Sequence, residues 1–160
     1  MRVVLTLGAL LGLAAFAACG GDDEGDVGTP APGGTTSAAT AGEIDVTLEE
    51  FSIAMQPASA EAGEVTFNVE NVGPDDVHEF VVIKTDLKAD ELPTADDGSV
   101  DEAGAGIEVI DEIEDIPVGE TQSLTVELEA GDYVIICNIY DETEVEPHYA
   151  EGMRTGFTVE

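Results

Sequence analysis

The stretch from Gly131 to Val159 constrains this chain most. A β-branched run, Val134-Ile135-Ile136, ends on a thiol, Cys137. An acidic loop then delivers Pro147-His148 and, a few residues on, Met153. From Thr155 the sequence is strand-like again. Far upstream, a second apolar run, His78-Glu-Phe-Val-Val-Ile83, opens with a histidine. That run is apolar on both faces, so a covered, central strand is expected. Taken together, His78, Cys137, His148 and Met153 offer two imidazoles, a thiol and a thioether. That donor set suits copper better than any other common metal.

Residues 1–18 are read as a targeting segment and not as fold. Arg2 gives a short positive start, and Val3 to Ala18 is apolar or small apart from Thr6. This is a secretory signal with small residues before the cut. It falls short of the roughly 20 residues that a spanning helix needs. Phe16-Ala17-Ala18-Cys19 resembles the lipobox of bacterial lipoproteins, which implies a lipid on Cys19. The mature chain is then expected outside the cytoplasm, held to the membrane by that anchor. With Cys19 lipidated, Cys137 has no intrachain partner, because the chain has two cysteines. A lone exported thiol must be buried, paired or metal-bound, so a disulfide framework is excluded.

Residues 20–42 are rich in Gly, Ala, Thr, Pro and Asp and poor in apolar bulk. Such a segment cannot bury a core and is expected to act as a flexible tether. Residues 43–160 have the length of one domain, which buries roughly two-thirds of its unfolded surface. Four acids (Asp22, Asp23, Glu24, Asp26) and one base (Arg2) lie upstream. The domain keeps 32 acids against three bases, a net of −29. This charge argues against nucleic acid and anionic head groups as partners of the domain, and favours a basic partner or a high-salt environment that screens self-repulsion.

Within the domain, Ile44, Val46 and Leu48 alternate with polar residues. The period slips at Glu49-Glu50 and resumes at Phe51 and Ile53, which predicts one strand with a bulge or bend. Val65, Phe67 and Val69 alternate next, and Asn71 to Asp76 predicts a turn. Thr85 to Gly106 is acidic and irregular, and a long connection with a short helix near 86–91 is expected. Its Asp96–Glu102 stretch fails the EF-hand pattern at Pro93 and Ala95, so it is read as a solvated loop. Ile107 to Ile116 is read as a strand. Leu124, Val126 and Leu128 alternate, and Ala130-Gly131-Asp132 turns the chain into Tyr133. That pair predicts a β-hairpin. The sum is an all-β domain of seven to eight strands in antiparallel sheets packed face to face.

The order histidine, long gap, Cys–loop–His–loop–Met resembles the cupredoxins, the blue (type 1) copper family. The likeness covers about residues 43–160. It implies a Greek-key β-sandwich with one copper ion held by His78, Cys137, His148 and the weak axial donor Met153. It also implies a one-electron carrier between redox partners, or copper storage and delivery as the alternative. Enzymes on this fold add histidine-rich copper sites, and no histidine remains here beyond the two ligands, so catalysis is not expected. A monomer is expected, docking a basic redox partner through apolar residues such as Ile139 and Tyr149. Three features depart from the family. The Cys–His loop holds ten residues. Asp141, Glu142, Glu144 and Glu146 crowd the metal end. Glu79 follows the first histidine where Asn is common.

Overall fold

In the computed structural model, residues 42–141 and 143–160 are described. The expected signal, Cys19 and the tether as far as residue 41 lie outside them, while Gly42 opens the first strand. Among the described residues no helix is long and apolar enough to cross a membrane.

The described chain is almost all strand. In order it forms β1 (Gly42–Glu49), β2 (Ser52–Gln56), β3 (Ser59–Ala60), β4 (Gly63–Gly73), β5 (His78–Lys84) and β6 (Glu108–Ile116). There follow β7 (Thr121–Leu128), β8 (Gly131–Ile136), β9 (Tyr140–Asp141), β10 (Glu146–Pro147), α1 (His148–Glu151) and β11 (Arg154–Val159). Eight of these strands have five or more residues, within the sequence expectation. With the two-residue β3 they build a four-stranded sheet, β2-β1-β4-β7, facing a five-stranded sheet, β3-β11-β8-β5-β6. β9 and β10 pair separately inside the Cys–His loop.

Alternation decides what goes inside. Ile44, Val46 and Leu48 of β1 and Val65, Phe67 and Val69 of β4 are buried, with their neighbours turned outward. They meet Phe80 and Val82 of β5, Tyr133 and Ile135 of β8, and Phe157 of β11. Phe67 is the hub, with ring centroids 5.2 Å from Phe80 and 5.6 Å from Phe157. Burying each such side chain contributes about 1.5–3 kcal/mol.

Four sequence expectations need correction. β7 and β8 are not a hairpin: β7 pairs with β4, while β8 pairs with β5 and β11. The Ala130-Gly131 turn carries the chain from one sheet to the other. The reason lies in β8, whose Val134 and Ile136 are as buried as Tyr133 and Ile135. Beside β7, whose other face is wet, Val134 and Ile136 would face water. Next, the period slip at Glu49-Glu50 is a reversal between two strands and not a bulge or bend within one. β1 and β2 are separate antiparallel strands, with Glu49 opposite Ser52. The sheets are also mixed, because β1 runs parallel to β4 and β3 parallel to β11.

Finally, residues 86–91 form no helix. Thr85 Oγ1 accepts the Leu87 N–H at 3.1 Å, a local bond that competes with helical pairing. The connection instead lies over the outer face of the five-stranded sheet. Leu92 and Val100 are buried there with Val81, Ile83, Val134, Ile136 and Tyr149. This second layer is what lets β5 and β8 be apolar on both faces.

Candidate metal centre

β8 runs antiparallel to both β5 and β11. The start of β5, the end of β8 and the approach to β11 therefore meet at one end of the sandwich. His78 is the first residue of β5, Cys137 directly follows β8, His148 opens α1, and Met153 sits just before β11. Three sequence-predicted ligands thus converge through strand direction alone, and the long loop brings back the fourth.

All four are buried, at 0 % exposure for His78, Cys137 and Met153 and 1 % for His148. Both histidines turn Nδ1 inward. The Nδ1 atoms are 3.3 Å apart, and Cys137 Sγ lies 3.4 Å from His148 Nδ1 and 3.9 Å from His78 Nδ1. A point equidistant from these three atoms is about 2 Å from each, the length of a transition-metal bond to nitrogen or sulfur. Among the described residues no carboxylate joins this cluster.

The backbone fixes the donors. The Cys137 N–H donates to Met153 O at 3.1 Å, and the Met153 N–H donates to His148 O at 3.0 Å. The Glu79 N–H donates to Cys137 Sγ at 3.3 Å. Phe51, delivered by the β1–β2 reversal, packs edge-on against the His148 ring at 5.2 Å. Burial pushes the Cys137 thiol up to about 12, so without metal it is protonated. Burial also lowers both histidines, helped for His78 by His148 and opposed by nearby carboxylates. Neutral imidazoles are the form that binds metal.

Several supporting residues carry no signal that alternation or spacing could reveal. Asn138, next to Cys137, accepts the Val100 N–H at 2.6 Å and donates to Val100 O and Glu102 Oε1 at 3.1 and 2.8 Å. The Tyr149 hydroxyl donates to Ala89 O at 2.8 Å. The acidic connection therefore grips both ends of the ligand loop. This corrects the expected docking role of Tyr149, which is buried under that connection with Arg154 over its ring at 5.0 Å. Asn71 is buried and fully bonded, donating to Asp76 O and Ile116 O and accepting from the Gly73 N–H, each at 2.8 Å. It sets the turn before His78.

Glu79 is half-buried. Its carboxyl is pushed up to about 7 by burial and by Glu112 and Glu102, while the Asn138 N–H opposes. A carboxyl raised from its ordinary value near 4.5 is bound to its proton more tightly in the folded state. The stability this confers is full below about pH 4.5 and lost as pH rises through about 7. Discounted for partial exposure, the loss is on the order of 2 kcal/mol. Glu79→Gln should flatten the fall in denaturant midpoint of the metal-free protein between pH 5 and 8. Identical pH profiles for the two proteins would exclude this role.

No family model and no curated protein matches the sequence. Solved structures do match. Auracyanin from the photosynthetic bacterium Roseiflexus castenholzii aligns with TM-score 0.52 at 18 % identity, over 76 % of this chain and 98 % of that one. Auracyanin A, a "blue" copper protein of Chloroflexus aurantiacus, gives 0.50 at 20 % identity, over 74 % and 98 %. Rusticyanin from Thiobacillus ferrooxidans gives 0.52 at 17 % identity, over 75 % and 78 %. The fold is therefore the cupredoxin β-sandwich.

Proposed function

We propose that this domain binds one type 1 copper ion through His78, Cys137, His148 and Met153 and carries single electrons. The observation that supports this most is the triangle of buried Sγ, Nδ1 and Nδ1 donors, with no carboxylate in the set. A thiolate, two imidazoles and a weak thioether suit both oxidation states of copper. Zinc gains little from Met153 and favours four firm donors. Copper held there supplies a one-electron couple. The chain keeps the donors still while the charge changes, through the N–H groups of Cys137, Glu79 and Met153 and the Asn138 grip.

His148 lines an opening bordered by Asp75, Asp76, Asp141 and the exposed Val77. That border fits a basic redox partner, which the domain's charge would steer at low salt. The setting we propose is extracytoplasmic, with the membrane reached through lipid on Cys19. Copper delivery is the second reading. The near-zero exposure of all four ligands favours a carrier over it, since delivery needs a route for the ion to leave.

Cu(II) added to the protein should produce an intense visible thiolate-to-copper band and a reversible one-electron couple. A folded, colourless protein would remove the type 1 assignment. A coloured protein that gives its copper up quickly to an acceptor would favour delivery.

A further inference from the structure

The face of His78 turned away from the donor cluster is unpaired. Its Nε2 is buried and has no hydrogen-bond partner among the described residues. An imidazole that offers Nδ1 to a metal carries its proton on Nε2. A buried N–H left without an acceptor costs about 1–3 kcal/mol.

Glu50, on the β1–β2 reversal, faces that nitrogen, with Oε1 3.8 Å from Nε2 and a side chain only 10 % exposed. An imidazole that offers Nδ1 to a metal is neutral, so this contact is a hydrogen-bond donor facing an acceptor and not an ion pair. The same oxygen is held by the backbone. Oε1 accepts the N–H groups of Asp75 at 3.0 Å and Asp76 at 2.6 Å, on the turn that leads into His78. The other oxygen, Oε2, is buried without a partner. At 3.8 Å the two groups fall short of a hydrogen bond, and a buried donor, Nε2, and a buried acceptor, Oε2, are left on neighbouring side chains.

We infer that Glu50 is a positioning residue for His78. Its carboxylate accepts the Nε2 proton, which keeps Nδ1 bare and aimed at Cys137 and His148. The same carboxylate ties the 73–77 turn to the ring, so ligand orientation and loop position are set by one group. Carboxylates in this role orient metal-bound histidines and strengthen them as donors. The inference rests on the copper reading for why Nδ1 must stay free.

Two readouts test it. The first is a long-range proton–nitrogen correlation spectrum of the nitrogen-15-labelled, metal-free protein, which has only two histidines to assign. His78 should carry a slowly exchanging proton on Nε2. In Glu50→Gln the oxygen nearest Nε2 becomes a neutral amide oxygen that still accepts from Asp75 and Asp76, and is a weaker acceptor for the Nε2 proton than a carboxylate. The Nε2 proton should then lose protection or move to Nδ1. A wild-type proton on Nδ1, or a variant spectrum unchanged at His78, would overturn the inference.

The second readout is Cu(II) affinity by competition. Glu50→Gln should lose about 10–100-fold. If Cu(I) affinity holds, each tenfold loss raises the reduction potential by about 59 mV. Glu144→Gln removes an acid from the same rim and should have a clearly smaller effect. Equal losses in the two variants would reduce Glu50 to one more surface charge and overturn the inference. If the tautomer arm succeeds and neither wild type nor variant binds copper, the Glu50–His78 pair stands and the copper reading falls.

Discussion

Cys137→Ser should lose the visible copper band completely and still fold. The band needs a thiolate, and a serine hydroxyl is neither as soft nor as easily deprotonated, so the effect is a loss and not a weakening. The fold should tolerate the change at a cost of roughly 1 kcal/mol. The hydroxyl replaces a thiol that already receives the Glu79 N–H and faces two imidazoles, so it is not stranded among hydrocarbon. Visible absorption of the copper-loaded variant and its denaturant midpoint check both halves. A variant that stays blue would mean the thiolate assignment is wrong.

Phe67→Ala should do the reverse. Its ring is fully buried between Phe80 and Phe157 in the middle of the sandwich. Truncation there costs about 3–5 kcal/mol, through lost burial and the cavity left behind. A domain has about 5–15 kcal/mol in total, so a large share of stability goes. The measurement is a shift in denaturant midpoint with the slope unchanged. The folded fraction should keep its colour, because Phe67 is not among the donors. A cost near 1 kcal/mol would mean that the two sheets do not close on this ring.

The candidate donors were legible in the sequence because their residue types are scarce. The chain has two histidines, and beyond Cys19 it has one cysteine, so a metal reading had few places to go. Alternation also gave the buried faces of β1, β4 and β7. What it could not give was partnership. The alternating positions of Leu124 to Leu128, with Tyr133 and Ile135, turn inward whether the two segments form a hairpin or join opposite sheets. Only the double-faced burial of β8 decides, and that depends on Leu92 and Val100 from a connection that read as solvent-exposed. Glu50 and Asn138 were invisible for a related reason. In a domain with 32 acids, one carboxylate beside a histidine has no distinguishing pattern until the chain is folded.

The long separation between the candidate ligands has a consequence for assembly. His78 is 59 residues from Cys137 and 70 from His148, whereas Cys137 and His148 are 11 apart. Contacts between distant parts of a chain form late, and folds dominated by them fold in milliseconds to seconds. An unfolded chain already presents the close Cys137–His148 pair, which can capture a thiophilic ion before His78 arrives. Metal that binds the unfolded chain gives back part of the stability it lends the native state. Copper should therefore stabilise this protein by less than its native affinity implies. Loading is cleanest when the sandwich has closed before the ion is offered.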